Sequence, residues 1–204
     1  TVGMCVILVE ESGRNMIAFD PAATLRLTPA DVERAEGVFR PGDLLALTME
    51  FQRETVFAAI RRAHARGMEI LLDPLAIPGT EFPEDIPGMV RIIKPNETEA
   101  SALTGVEVRG RASAELAARR LREMGFAVPV ISLGGQGLLL YLGEEMIYLP
   151  ALPVDAVDST AAGDVMIGAF LGAYSRTGDL LGALRTANGA AALSTTRRGA
   201  QTSI

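Results

Sequence analysis

The chain has 204 residues, a formal net charge of −6 and a hydrophobic fraction of 49%. Its acidity and its low aromatic content, 5% with no tryptophan, argue against the basic face and the stacking surface that nucleic-acid binding requires. No apolar run reaches the roughly 18 residues that a membrane span needs. We therefore expect a cytoplasmic protein that binds neither nucleic acid nor membrane.

The first part of the chain alternates between strand and helix patterns. Thr28 is a predicted N-cap, Pro29 occupies the first helical position, and Asp31 places an acid in the first turn, which together predict a helix start. Glu11–Asn15 reads as a hairpin turn. Strands are predicted over 2–10, 16–20, 43–48 and 69–73, and helices over 29–37 and 52–66.

The alternation continues to the end of the chain. Strands are predicted over 89–93, 128–133, 137–142 and 145–149, the last two as an antiparallel pair, and helices over 96–103, 112–124, 162–175 and 178–194. Helix 112–124 is expected to bury Ala117, Leu121 and Met124. Repeated strand–helix alternation predicts an α/β fold, Rossmann-like and three-layered, with a mostly parallel central sheet and helices on both faces. Because no linker or repeat interrupts it, we expect one domain over 1–204.

The single cysteine and the single histidine limit the chemistry available to the chain. Cys5 lies in an apolar stretch, so we expect a buried, unreactive thiol, and one cysteine cannot form a disulfide within the chain. His64 lies among arginines on a predicted helix, where a solvated position is expected. Histidine-based triads and zinc clusters are therefore excluded.

One strand-to-helix turn has an unusual composition. In parallel sheets, ligands bind beyond the carboxyl ends of the strands, where such turns lie. In Asp158–Asp164, small residues precede a helix and leave the N–H groups of 161–163 uncovered, which favours an anion. Asp164 in the first turn either complements the helix dipole or accepts a hydroxyl proton, as phosphoryl transfer to an alcohol requires.

Other candidate positions have an ordinary structural interpretation when they are read from the residues alone. Asn96 and Glu99 form a capping box, and the glycines of 132–137 suit a turn between strands. The segment 194–203 reads as a basic turn near the end of the chain. Asn188 is a polar interruption of an alanine-rich helix face, and Glu50 is a strand-end acid of the kind that is often simply solvated.

The segment Asp158–Asp164 with the following Val165–Ala169 resembles the C-terminal signature of the ribokinase-like (PfkB) carbohydrate kinases. The AAGD form and the string Arg198–Ser203 are most similar to the ribokinase branch, and the resemblance covers essentially all 204 residues in family order. It implies an ATP-dependent kinase that phosphorylates a primary hydroxyl of a sugar. Ribose is the best single guess, with fructokinase and nucleoside kinase relatives as alternatives.

The resemblance also implies roles for individual residues. Asp164 is the catalytic base that contacts the sugar hydroxyl, Ala161, Ala162 and Gly163 form the anion hole, and Glu50 contacts the sugar. Glu99 organises Mg²⁺ through water. The residues implied for nucleotide binding are Asn96, Ser132, Gly134, Gly135, Gly137, Gly163 and Asn188. Those implied for a monovalent cation, K⁺, largely through backbone carbonyls, are Asp158, Thr160, Ser194, Arg197, Gly199 and Ser203.

Several family strings do not occur in these 204 residues: the first glycine signature, the sugar-gripping Asn-x-Asp and the Gly-Gly-Lys-Gly-Ala-Asn loop. Residues 1–20 match strands that return from the family's β lid. We therefore expect a fragment or a truncated relative that lacks the N-terminal part and most of the lid, and that has little or no kinase activity alone. A homodimer is expected only of the full-length parent.

Two further hypotheses belong to other classes of protein. The chain could be a non-catalytic nucleotide-binding module that retains the ATP half of the family fold. It could also be a plain α/β domain whose resemblance to the family is limited to the fold. Binding of ADP without turnover in any longer version of the protein would favour the module.

Overall fold

The computed structural model describes residues 3–9 and 15–204. Its internal contacts divide the chain into two compact units. The first unit is built mainly from Pro21–Leu133 and Leu139–Tyr148, and the second from the described part of Met4–Asp20 with Gly134–Leu138 and Leu149–Ile204. The single domain over 1–204 stays a prediction. Of the hairpin turn predicted over 11–15, residues 11–14 lie outside the described residues, and Asn15 is the first residue of the second strand.

The described elements follow the predicted alternation. The strands are β1 (Met4–Val9), β2 (Asn15–Asp20), β3 (Leu44–Thr48), β4 (Glu69–Asp73), β5 (Ile92–Ile93), β6 (Val128–Ser132), β7 (Gly137–Leu142) and β8 (Glu145–Pro150). The α-helices are α1 (Pro29–Arg34), α2 (Arg53–Ala65), α3 (Ile86–Met89), α4 (Glu97–Thr104), α5 (Arg111–Glu123), α6 (Ala162–Thr177) and α7 (Leu180–Ser194).

The central sheet has the order β3-β4-β5-β6-β7-β8, and its first four strands run parallel. Leu72 of β4 lies opposite Ile93 of β5, and Ile93 lies opposite Pro129 of β6. All residues of β6 except the last are buried, as expected for a strand that is covered on both faces. The predicted α/β fold with a mostly parallel sheet is confirmed.

Amphipathic helices cover this sheet in the first unit. Helix α2 buries Val56, Ile60 and Ala63, and α5 buries Ala117 and Leu121. These side chains join one core cluster with residues of the sheet. Full burial of a large apolar side chain contributes roughly 1.5–3 kcal/mol, so this packing holds the carboxyl ends of the parallel strands in fixed positions.

Three predictions from the sequence are wrong. Instead of a strand over 89–93, the chain forms the short helix α3, with Pro87 in its first turn, and then the two-residue strand β5. Met124 is 36% exposed because α5 ends before it and it is only the C-cap. Cys5 is exposed because β1 pairs with β2 in a separate two-stranded sheet, where the neighbouring Met4 and Val6 are exposed as well.

In the second unit, α6 and α7 pack against each other. Phe170 and Tyr174 of α6 stack with their ring centroids 5.2 Å apart. Helix α6 ends at Thr177, and its C-cap Gly178 adopts the left-handed conformation at φ +66° that glycine tolerates without strain. Across the described ranges 3–9 and 15–204, no helix combines the length and the hydrophobicity needed to cross a membrane.

Candidate active site

In the first unit, polar residues gather where the parallel strands β4, β5 and β6 end. Asp73 ends β4, Lys94 follows β5, and Ser132 ends β6. A single parallel bridge joins Asn96 to Ser132, and the Ser132 amide donates to the Pro95 carbonyl at 3.0 Å. The structure thus brings Asn96 and Ser132 together, two of the residues predicted to contact the nucleotide.

Helix α4 begins with the predicted capping box. The Glu99 amide donates to Asn96 Oδ1 at 2.9 Å, and the Asn96 amide donates to Glu99 Oε2 at 2.9 Å. Each side chain therefore satisfies a backbone donor that a helix start would otherwise leave open. The box fixes the direction of the Glu99 side chain.

Glu99 is only 9% exposed. Burial raises the pKa of Glu99, and the charge of Asp73 adds to that rise, whereas the Asn96 amide and Lys94 oppose it. Oε1 has no hydrogen-bond partner among the residues that the structure describes. A buried carboxylate with one free oxygen fits a hydrated Mg²⁺, which keeps most of its water ligands.

An ion pair at the same edge of the sheet was missed in the reading of the sequence. Lys94 Nζ lies 3.0 Å from Asp73 Oδ2, and Lys94 is 5% exposed. The register of the two strands explains the pair. Because Leu72 lies opposite Ile93, the next residues, Asp73 and Lys94, also lie side by side. Recognising the pair needed the register of β4 against β5, which local patterns do not specify.

In the second unit, Asp158 connects two segments that are distant in the sequence. Its Oδ1 accepts a hydrogen bond from the Thr160 amide at 2.9 Å, and its Oδ2 accepts one from the Gly199 amide at 2.8 Å. The Gly199 amide, then Thr160, lower the pKa of Asp158, and Arg198 adds a smaller effect in the same direction. The carboxylate therefore fixes the entry to α6 against the loop that contains Gly199.

Helix α6 begins without a capping side chain. Its N-cap, Ala161, adopts the left-handed conformation at φ +61° and ψ +10°, which costs roughly 1–2 kcal/mol for a residue other than glycine. Strain of this kind concentrates at functional sites. The helix therefore starts at a left-handed residue, and no side-chain oxygen caps its first amides.

The amides at this helix start are open in part. The Ala162 amide donates to the Ser159 carbonyl at 3.2 Å, so the prediction that all of 161–163 are uncovered is corrected to two. The amides of Ala161 and Gly163 have no partner among the described residues. Asp164, the next residue, is exposed. The turn therefore presents two donors beside an available carboxylate.

One of the residues predicted to hold a monovalent cation has a buried oxygen without a hydrogen bond of ordinary geometry. This oxygen is Thr160 Oγ1; Thr160 is only 8% exposed, and its hydroxyl lies near enough to the Asp158 carboxylate to lower the pKa of that group. The hydroxyls of Ser194 and Ser203 donate to backbone carbonyls one turn back, so any contribution of theirs to a cation comes from carbonyl oxygens. The Ser194 carbonyl accepts the Arg197 amide at 3.3 Å. A buried hydroxyl oxygen that has no strong hydrogen bond, together with backbone carbonyl oxygens, would suit a K⁺ ion.

The glycine loop has structural reasons for part of its composition. Gly137 has φ +102°, and a Cβ there would lie 2.1 Å from the Leu149 carbonyl oxygen, so the chain's own backbone requires this glycine. At Gly134 and Gly135 a Cβ would meet open space, which leaves room for a ligand. Asn188 Nδ2 donates to the Pro150 carbonyl at 2.8 Å, so this amide group anchors the end of β8.

Glu50 follows the carboxyl end of β3 and is exposed. Its carbonyl accepts a hydrogen bond from Thr24 Oγ1 at 3.4 Å, and the nearby Gln52 Nε2 donates to the Leu25 carbonyl at 2.6 Å. These bonds attach the segment that precedes α1 to the turn between β3 and α2. The Glu50 carboxylate remains accessible there to a ligand such as a sugar.

An α/β sheet with a carboxylate suited to a hydrated cation, and a separate helix start with open amides followed by an aspartate, are features of enzymes that transfer phosphoryl groups. The comparisons with known proteins agree. The family model for pfkB family carbohydrate kinases matches residues 1–204. The chain therefore belongs to this family.

Individual relatives are kinases of five-carbon sugars by name. The chain is 32% identical to a ribokinase of Staphylococcus aureus over 203 residues, which cover 99% of this chain and 66% of the relative. It is 34% identical to a deoxyribokinase of Salmonella typhi over 201 residues, 98% of this chain and 65% of the relative.

A solved structure of Arabidopsis thaliana ribokinase complexed with ribose and ATP matches with a TM-score of 0.83 and 25% identity, and covers 99% of this chain and 65% of that one. The chain spans about two thirds of the length of the relatives it matches, 66% and 65%.

Proposed function

We propose that the full-length protein is an ATP-dependent sugar kinase that transfers the γ-phosphoryl group to a primary hydroxyl, with ribose as the acceptor and ribose 5-phosphate as the product. The observation that carries this proposal is the start of α6, where the exposed Asp164 carboxylate follows two open amides. Family membership supports the reaction class.

In the proposed reaction, the oxygen of the sugar hydroxyl attacks the γ-phosphorus of ATP and its proton passes to the Asp164 carboxylate. The bond between the γ-phosphorus and the β,γ-bridging oxygen breaks, and ADP leaves with that oxygen. The amides of Ala161 and Gly163 donate hydrogen bonds to the phosphoryl oxygens, where negative charge is concentrated in the transition state. The N-terminal end of the α6 dipole adds a favourable positive potential. Donors that are already oriented before the substrate arrives need little reorganisation during the reaction.

Two ions complete the proposal. Mg²⁺ would be held through water by Glu99, with Asn96 beside the nucleotide, and when bound it would neutralise charge on the β- and γ-phosphates. K⁺ would be held between the turn that contains Thr160 and the loop that contains Gly199, mainly through carbonyl oxygens. The buried Thr160 hydroxyl, which has no hydrogen bond of ordinary geometry, supports this location. Since ATP is the phosphoryl donor, we also propose that the protein acts in the cytoplasm.

The acceptor has a second candidate, 2-deoxyribose, because the chain is 34% identical to a deoxyribokinase. A coupled assay of ADP release from the full-length protein should compare kcat/KM for ribose, 2-deoxyribose and fructose. We expect ribose to give the highest value. A higher value for 2-deoxyribose or fructose would reassign the acceptor, and tight ATP binding without turnover of any sugar would favour the non-catalytic module.

These 204 residues do not contain the family's sugar-gripping strings. Because kinases of this type depend on positioning both substrates, we propose that the 204 residues alone turn over sugar slowly or not at all. We also propose that the full-length protein forms a homodimer. Sugar-dependent ADP release from the 204-residue chain at the full-length rate would contradict the first proposal, and a monomeric mass in light scattering would contradict the second.

A further inference from the structure

Lys94 is the only lysine of the chain, in which the other 18 of the 19 basic residues are arginines. It is also buried, with 5% of its surface exposed. A lysine is almost never fully buried unless it is paired. The position of this one lysine therefore calls for a reason specific to the edge of the sheet where it lies.

The pairing partner of Lys94 is Asp73 on the adjacent parallel strand, at 3.0 Å. The Lys94 amide also donates to the Leu72 carbonyl at 2.9 Å, which fixes the backbone of the pair. Glu99 belongs to the same region of the sheet edge, because its Oε2 accepts the amide of Asn96, two residues beyond Lys94, at 2.9 Å. Burial raises the pKa of Glu99, and the charges of Asp73 and Lys94 act on it in opposite directions. The cluster thus consists of two carboxylates and one ammonium group.

Two carboxylates at the same sheet edge attract a divalent cation, since carboxylate oxygens are preferred ligands of Mg²⁺ and Mn²⁺. An ammonium group bound to one of them offsets its charge and uses an oxygen that a metal ion would otherwise coordinate. Only the second carboxylate, Glu99, then remains to attract a cation. One buried carboxylate binds a hydrated ion weakly unless phosphate oxygens add their charge.

We propose that Lys94 is a built-in counter-ion that keeps Asp73 from joining Glu99 as a metal ligand, so that the site accepts Mg²⁺ with the nucleotide and not as a free ion. This inference rests on the proposed function as an ATP-dependent kinase. Lys94 is a positioning residue in this scheme, since it acts through Asp73 and touches no reacting atom.

The test is to measure binding of free Mn²⁺ to the full-length protein without nucleotide, by titration calorimetry and electron paramagnetic resonance. Lys94→Met keeps the length of the side chain and removes the charge. We expect it to bind Mn²⁺ at least tenfold more tightly than the unmodified protein. The double variant with Asp73→Asn removes one charge of each sign and should return to the original affinity, and adding Glu99→Gln to Lys94→Met should abolish the gain.

A gain in metal affinity separates this role from a purely structural one, because a loss of packing would not create a binding site. Unchanged or weaker Mn²⁺ binding by a folded Lys94→Met protein would overturn the proposal. If that variant does not fold, Asp73→Asn alone decides: the released ammonium should turn to Glu99 and weaken binding of Mn²⁺–ADP several-fold, and unchanged binding would overturn the proposal.

The control for the proposed function is Mg²⁺–ATP binding to the unmodified protein. If the unmodified protein binds no ATP, the proposed kinase function fails, whatever the variants do with Mn²⁺. If it binds Mg²⁺–ATP and Lys94→Met gains no affinity for free Mn²⁺, the kinase function stands and only the role of Lys94 is refuted.

Discussion

The starts of α4 and α6 differ in how they treat the first backbone N–H groups of a helix, which have no partner within the helix itself. Helix α4 has a complete capping box, in which Asn96 and Glu99 exchange hydrogen bonds at 2.9 Å. Helix α6 has an alanine N-cap in the left-handed conformation and no capping side chain. A side-chain cap contributes about 0.5–2 kcal/mol, so α6 lacks stability that α4 has.

The difference indicates where the chain retains binding capacity. At α4 the capping box satisfies the amides of Asn96 and Glu99 within the protein, and one carboxylate oxygen of Glu99 remains for a ligand. At α6 the amides of Ala161 and Gly163 remain open, and an anion can complete the cap. The less stable helix start is therefore the one suited to the transferring phosphoryl group.

The strongest test of this comparison is Asp164→Asn. If the open helix start and its carboxylate form the catalytic centre, kcat should fall by about 10²–10⁴, the usual contribution of a positioned general base, while ATP binding changes little. Steady-state turnover and calorimetric titration of ATP measure the two effects. Glu54→Gln, which alters an exposed acid in the first turn of α2, is the matched control and should leave kcat unchanged. Turnover that survived Asp164→Asn would make this residue a structural acid.

A second test concerns the carboxylate that holds the entry to α6. In Asp158→Asn, the amide group can accept only one of the two hydrogen bonds, so one backbone donor loses its partner. We expect the free energy of unfolding to fall by about 1–3 kcal/mol. Denaturant unfolding at pH 7 measures the loss, with the exposed neighbour Asp155→Asn as control. Equal stability of the two variants would contradict the link between Thr160 and Gly199.

The same residue predicts a pH dependence. The pKa of Asp158 is lowered on folding from its ordinary value of 3.8, so its ionised form is stabilised in the folded protein. This contribution is complete above the unfolded pKa and is lost as the pH falls through the folded pKa. Unfolding curves should be measured from pH 7 down to below the ordinary pKa of 3.8. Over this range, the free energy of unfolding should fall less in Asp158→Asn than in the unmodified protein. Parallel pH profiles for the two proteins would contradict this.

The capped helix start provides a smaller effect. Asn96→Ala should lower the free energy of unfolding by about 0.5–2 kcal/mol because it removes the cap of α4, and Asn96→Ser should retain most of it. If Asn96 also contacts the nucleotide, both variants should raise the KM for Mg²⁺–ATP. Thermal unfolding and kinetics separate the two roles. An unchanged KM in both variants would leave Asn96 as a cap only.

The smallest expected effect is a gain of stability at α6. Ala161→Gly relieves the left-handed strain and should raise the free energy of unfolding by up to about 1 kcal/mol, while kcat stays within about twofold because the amide is retained. Ala162→Gly, one residue further into the helix, should be neutral or destabilising. A thermal midpoint that falls in Ala161→Gly would show that the conformation is held in another way.

Local patterns predicted much of the fold and part of the site. The capping box at Asn96 and Glu99 was predicted because its partners are three residues apart, and a short sequence motif is enough to specify a contact over that distance. The failures have an equally physical cause. The strand predicted over 89–93 is mostly absent because Pro87 and Gly88 favour a short turn there. The exposure of Cys5 depends on what packs against β1, which its own apolar neighbours do not specify.

By itself, the sequence determined the order of strands and helices, the α/β class and the family, because these depend on periodicity and on short motifs. Only the tertiary structure decided which distant groups meet. Asp158 reaches Gly199 across 41 positions, Lys94 meets Asp73 through the register of two strands, and Gly137 is required by the backbone at Leu149. Burial of apolar surface is non-directional, so an apolar pattern does not say which polar groups will meet. Those contacts are fixed only when the strands and helices have packed around the core.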